Sequence, residues 1–287
     1  MGDFAAAWLS LREPVDVRAR ARALVDRLRQ ALPRADGIHI LDLGCGTGSN
    51  LRVLAPQLGG TQHWLCVDAD PALLAVLPDA TARWARGVGL GWEPDARRIS
   101  RVAPPLSVTL EPRALDLAQA LDQLPCERLG LISASALIDL VSADWLAALV
   151  ALAAEHHLPM LVALSYDGRV KLEPRLDLDA EVIGWVNAHH GRDKGFGPAL
   201  GPAATETLAA LARSHGYQVE TCPSDWLIGP SEPELQRALI HGWCDAASEQ
   251  APDRSAMIVS WRERRLDAVT RGASRLRVGH LDLLALP

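Results

Sequence analysis

Ile40-Leu41-Asp42-Leu43-Gly44-Cys45-Gly46-Thr47-Gly48-Ser49-Asn50-Leu51 is the stretch on which the fold turns. Its first residues extend an apolar run that opens at Ile38, the pattern of a strand buried on both faces. Glycines then occupy three alternate positions, and a helical stretch, Asn50–Gln57, follows. Glycine there lets the backbone turn sharply and lets a ligand approach the main chain where a Cβ would stand in the way. Open α/β sheets bind ligands in just such a crevice, at the carboxyl end of a strand. A dinucleotide fingerprint would need a third glycine where Ser49 stands, and a P-loop would need a lysine that the loop lacks.

Asp42-Leu43-Gly44-Cys45-Gly46-Thr47-Gly48 instead resembles motif I of the class I S-adenosylmethionine (SAM)-dependent methyltransferases. That resemblance implies an α/β, Rossmann-like, mainly parallel seven-stranded sheet with helices on both faces and an antiparallel last strand. It implies SAM as cofactor, held by Asp42, Gly44, Cys45, Gly46, Gly48 and Asn50. It also implies that Asp68, which ends Leu65-Cys66-Val67-Asp68-Ala69-Asp70-Pro71, accepts hydrogen bonds from the ribose hydroxyls, with Ala69 beside it. Asp116-Leu117 resembles the adenine contact, and Ser133-Ala134-Ser135 falls where the family lines the methyl-donor channel. Many relatives carry an acidic residue near that strand, whereas here only hydroxyls end it. Asp70 reads as the N-cap of a helix begun by Pro71. The resemblance spans roughly residues 36–165.

The rest of the chain alternates short apolar strands with helices, which argues for a parallel sheet covered on both faces. Phe4–Leu32 reads as one or two amphipathic helices broken at Pro14. Strands are expected at Ile38–Leu43, His63–Val67, Val108–Leu110, Leu129–Ser133 and Met160–Ser165, with a helix over Ala143–His156. Thr81–Pro105, rich in Gly and Pro, is expected to be loop with one strand near Ile99–Val102. Tyr166-Asp167-Gly168 reads as a turn into Val170–Leu172. Beyond it, helices are expected over Asp177–His190, Ala203–His215, Glu232–Glu249 and Asp253–Arg271, with strands at Tyr217–Thr221 and Arg275–Ala285. The whole, 1–287, reads as one domain, with a helical N-terminal extension over 1–35 and insertions over 166–200 and 224–273 that would form a cap.

Methyl transfer from a sulfonium needs mainly alignment and exclusion of water, with a base only if the acceptor must lose a proton. The richest polar stretch is Asn187-Ala188-His189-His190-Gly191-Arg192-Asp193-Lys194. His189 and His190 are candidate proton acceptors, and both also suit a helix C-terminus on dipole grounds alone. Asn187, Arg192 and Lys194 are candidates to hold the acceptor. Tyr166 and Asp167 are the alternative catalytic pair, or else ordinary turn residues. Trp226 and Trp8 could wall an aromatic or cationic acceptor, or belong to the core. Tyr166 to Pro198 is expected to form part of a lid over the acceptor.

The 287 residues carry a net charge of −6, and only Lys171 and Lys194 are lysine. No basic field favours nucleic acid or an anionic membrane. The longest apolar stretch, Trp145 to Ala154, is too short to span a bilayer. Five dispersed cysteines without a CxxC pair suit neither a disulfide framework nor zinc, and no metal is expected. No targeting segment is visible, so the protein is expected to be cytoplasmic; nothing indicates its oligomeric state. The expected function is methyl transfer from SAM to a small-molecule acceptor. The alternatives are a SAM-binding sensor or scaffold without catalysis, and a nicotinamide-dependent oxidoreductase.

Overall fold

In the computed structural model, which describes residues 6–32 and 37–287, the expected strand–loop–helix unit is present: β1 (Ile38–Leu43) leads through the glycines into α3 (Ser49–Leu58). Two helices precede it, α1 (Ala6–Ala19) and α2 (Arg22–Ala31). After it come β2 (Gly60–Asp68), α4 (Pro71–Gly87), β3 (Gly91–Glu93), β4 (Arg98–Arg101), β5 (Leu106–Ala114), β6 (Leu131–Ser135) and α5 (Ala143–Glu155). The remaining elements are β7 (Met160–Glu173), α6 (Asp179–His190), α7 (Ala204–Ser214), β8 (Gln218–Pro223), β9 (Trp226–Ile228), α8 (Pro233–Gln250), α9 (Ser255–Thr270) and β10 (Arg275–Leu286).

The strands form one sheet in the order β3-β4-β5-β2-β1-β6-β7-β10-β8, with β9 added beside β10. From β5 to β7 the pairs are parallel, and β10 runs antiparallel between β7 and β8. The seven strands β5, β2, β1, β6, β7, β10 and β8 are the expected sheet; β3, β4 and β9 are additions to it. Alternation along β1 divides the core. Leu41 and Leu43 pack with α5 and α7 on one face, and Ile40 packs with α2, α3 and α4 on the other.

A third core explains the C-terminal half. β6 pairs β7 only as far as Ala163, yet β7 continues to Glu173 because β10 pairs it back to Arg275. This two-stranded arm, with β9 on its edge, carries α6, α8 and α9, packed through Leu172, Val182, Trp226, Ile240, Trp243 and Trp261. The chain turns left-handed at Leu164 (φ +55°), and β10 is bulged opposite. Among the described residues no helix is long and apolar enough to cross a membrane.

Three expectations need correction. Tyr166-Asp167-Gly168 is not a turn but lies inside β7: Tyr166 pairs with His280, and residues 167–169 bulge past Gly279 before pairing resumes at Val170. Pro14 does not break α1; Arg12 reaches across it to Asp16, 2.9 Å away, and the break falls at Arg20-Ala21 instead. The stretch from Thr81 is not loop: α4 continues to Gly87 with Thr81, Ala82 and Ala85 buried, and the Gly and Pro residues beyond punctuate a β3–β4 hairpin on the edge of β5. Phe4 and Ala5, the expected start of the first helix, lie outside the described residues, as do residues 33–36.

Candidate functional site

β1 lies between β2 and β6, so the chain order reverses beside it, and the crevice opens at the carboxyl ends of β1 and β6. Gly44, Gly46 and Gly48 sit there with φ of +61°, +52° and +85°, a conformation that other residues adopt only with strain. Asp68, at the end of β2, ties down the turn: its Oδ2 accepts from the Gly46 N–H at 2.8 Å and its Oδ1 from the Asp70 N–H at 2.9 Å. Each oxygen keeps a further lone pair for a ligand hydroxyl. Asp70 caps α4 through the Ala72 N–H, as expected. Asp116 accepts from the Ala118 N–H and from Gln119, while buried Leu117 offers its carbonyl to Trp145 Nε1. Ala69 is half-buried beside Asp68, and Cys45 is a buried thiol raised by contact with Cys66 and by burial.

Beneath the loop lies a buried polar network. Asn50 donates to Asp42 Oδ1 at 2.6 Å and to Ser133 Oγ at 2.9 Å, and accepts from Arg20 Nη1 at 2.8 Å. Ser133 in turn donates to the Leu161 carbonyl. Both amide protons of Asn50 are therefore engaged, so Asn50 and Ser133 support the loop from below. Burial pushes the Asp42 carboxyl up to about 7, against the lowering effect of Asn50 and Arg20. Asp282, 2% exposed, receives the N–H groups of Ala21 and Leu164 at 2.9 and 2.8 Å and lies 3.7 Å from Arg20 Nε.

Above the loop lies α1. A Cβ on Gly46 would stand 2.9 Å from Leu9 Cδ1, so this helix rests directly on the turn. Glu13 takes both Nε and Nη2 of Arg52 at 2.6 and 2.7 Å, and Arg52 Nη1 holds the Thr47 carbonyl. On its other flank Arg12 stacks 4.9 Å over the Trp226 ring, whose Nε1 donates to Asp16.

The candidate acceptor residues divide into two groups. Tyr166 projects into the third core beside the crevice, donates its hydroxyl to Asn187 Oδ1 at 2.7 Å, and lies 4.8 Å from the His190 ring. Trp226 is buried and meets the same cluster through His280, 4.7 Å away. Burial lowers His190 to about 4 and His280 to about 3. His189 and Arg192 instead pair with exposed Glu249. Asp167 pairs with Arg169, which bridges to Asp225 and so to Arg277. Lys194 is half-buried near His190, whose proton affinity its charge lowers.

Sequence reasoning missed Arg12, Asp16, Asp139 and His280. Asp139 was findable as the lone acid in the apolar run Leu137-Ile138-Asp139-Leu140-Val141 after β6. Its carboxyl is buried and pushed up to about 6, and its Oδ1 has no partner among the described residues. Nothing in the arginine-rich N-terminus distinguishes Arg12. Among the described residues no three His, Cys, Asp or Glu side chains gather to hold a metal ion.

No family model matches the chain, and no curated protein matches it in sequence. Solved structures do resemble it. A cyclopropane-fatty-acyl-phospholipid synthase-like protein from Lactobacillus casei superposes with a TM-score of 0.54 at 16% identity, covering 99% of this chain and 94% of that one. A SAM-dependent methyltransferase from Thiobacillus denitrificans, in complex with S-adenosyl-L-homocysteine, gives 0.45 at 17% identity over 99% and 100% of the two chains. A cyclopropane synthase from Mycobacterium tuberculosis gives 0.45 at 12% identity over 92% and 83%. The first of these shows a shared fold, the Rossmann-like α/β sheet described above.

Proposed function

We propose that this chain is a SAM-dependent methyltransferase acting on a small-molecule acceptor. The observation that carries the reading is the turn Gly44–Gly48 at the point of strand-order reversal: three left-handed glycines whose backbone is held by the carboxylate that ends the neighbouring strand. SAM would lie along Gly44 and Gly46, with the ribose hydroxyls on the free lone pairs of Asp68 and the adenine beside Asp116 and Leu117. It supplies a methyl group already activated on a sulfonium. The chain's own part is to position that group and exclude water. Leu9 and Leu137 flank the glycines and provide an apolar lining. The cluster of Tyr166, His190, Asn187 and Trp226 lies on the arm beyond the same edge and would receive the acceptor. The cap over 166–200 and 224–273 would close it off. The net charge of −6 fits a small acceptor better than nucleic acid.

Titration calorimetry with SAM and S-adenosylhomocysteine tests the donor site. Asp68→Ala should weaken binding by about 1.5–3 kcal/mol, the range for hydrogen bonds to a charged group. Gly46→Val should abolish it, since a Cβ there would stand 2.9 Å from Leu9 and the left-handed backbone disfavours any L residue, which distorts the turn. Unchanged affinity in Asp68→Ala would overturn the assignment. Release of S-adenosylhomocysteine with a one-methyl mass gain in a metabolite extract separates an enzyme from a SAM sensor.

A further inference from the structure

We infer that the methyl acceptor is an amine, received by Asp139, Tyr166 and His190; the inference rests on the donor site proposed above. The three groups are all hydrogen-bond acceptors in their present arrangement. Asp139, on the single helical turn Ile138–Leu140, is 7% exposed, and its Oδ1 has no partner among the described residues. The turn that carries it packs against β7, the strand of Tyr166. Arg12 is the cation that bears on Asp139, yet its Nε and Nη2 are directed to Asp16. The Tyr166 hydroxyl has one proton, and it goes to Asn187 Oδ1; the Asn187 amide is fixed by its own bond to the Gly168 carbonyl at 3.1 Å. The phenol oxygen therefore presents lone pairs. His190 Nδ1 also lacks a partner, and its buried ring is neutral, so with the proton on Nε2 it accepts too.

Buried acceptors left without donors are costly, and a ligand rich in N–H groups relieves them. A carboxylate or phosphate would be repelled by Asp139, and an alcohol brings one proton for three sites. A protonated amine brings two or three and neutralises the carboxylate, with the aromatic faces of Tyr166 and Trp226 nearby. The reaction balances. The ammonium gives one proton to the Asp139 carboxylate, the more basic of the two buried acceptors, and the nitrogen lone pair bonds to the methyl carbon. The carbon–sulfur bond breaks with its electron pair kept on sulfur, and the positive charge passes from sulfur to the methylated nitrogen. That charge ends between the Tyr166 oxygen and the neutral His190 ring.

The test uses the whole protein with SAM and matched pairs: ethanolamine, putrescine, benzylamine and phenethylamine against ethylene glycol, butanediol, benzyl alcohol and phenethyl alcohol. Methyl transfer is read by mass, and binding to the S-adenosylhomocysteine complex by calorimetry. Amines alone should bind and be methylated. Asp139→Asn should weaken amine binding at least about tenfold while SAM affinity, which also reports folding, stays unchanged. Tyr166→Phe, which keeps the ring and removes the oxygen, should act in the same direction. Preference for the alcohols, unaltered amine binding in both variants, or SAM binding with no amine bound or methylated overturns the inference and leaves the donor site standing. Failure to bind SAM removes both.

Discussion

Asp42 and Asp282 belong to one buried network and differ in the donors that reach them. Among the described residues only Asn50 donates to the Asp42 side chain, whose Oδ2 has no partner there, so burial dominates and the carboxyl rises to about 7. A raised carboxyl binds its proton more tightly folded than unfolded. Its contribution is full below the ordinary 3.8 and is lost as pH rises through about 7. Asp42→Asn removes that titration, so wild type should lose stability relative to the variant between about pH 4 and 7, measured by urea unfolding at each pH. His190 and His280, depressed to about 4 and 3, act in the opposite sense: their contribution is present above 6.5 and lost on acidification. Asp282 has two N–H groups and Arg20 around it. Its replacement by Ala leaves a buried guanidinium uncompensated, and about 3–5 kcal/mol should disappear from the unfolding free energy. Asp42 was legible because it stands inside a motif. Asp282 was not, because its partners Ala21 and Leu164 are more than a hundred residues away and only folding brings them near.

Among the elements, β7 shows how pairing overrides local chemistry. Tyr-Asp-Gly suits a turn by composition, but β10 pairs with Tyr166 and again from Val170 to Glu173, so the strand runs through and residues 167–169 form a bulge. That places Tyr166 in the third core and Asp167 in the charge pairing with Arg169. At the end of α6 the two histidines separate similarly: His190 turns toward Tyr166, and His189 toward solvent and Glu249. Steady-state kinetics should therefore split them. His190→Ala should lower kcat or raise the acceptor KM, whereas His189→Ala should leave both within about twofold, as expected for losing an exposed ion pair. The sequence placed both residues correctly at a helix terminus, and helical periodicity alone could not say which of two neighbours faces inward.

Across the molecule, strands and helices up to β7 were readable, because each parallel strand is a short apolar run between turn residues. The sheet's extra edge and the β7–β10 arm were less so, since their stability comes from contacts distant in sequence. The net charge is −6, and a gel-shift assay at physiological salt should show only weak, sequence-independent binding to RNA or DNA. The position of α1 has a kinetic consequence. Leu9 lies on Gly46, and the helix is fastened by Glu13 to Arg52, so at the donor site proposed above α1 would have to lift for SAM to reach Gly46. Uptake then has two stages, opening followed by capture. In stopped-flow mixing the observed rate should climb with donor concentration and level off at the opening rate, and Glu13→Gln should raise the plateau. On that proposal the same helix would hold the spent nucleoside after each turnover, and the clasp between two side chains would set a ceiling on how fast product gives way to fresh donor.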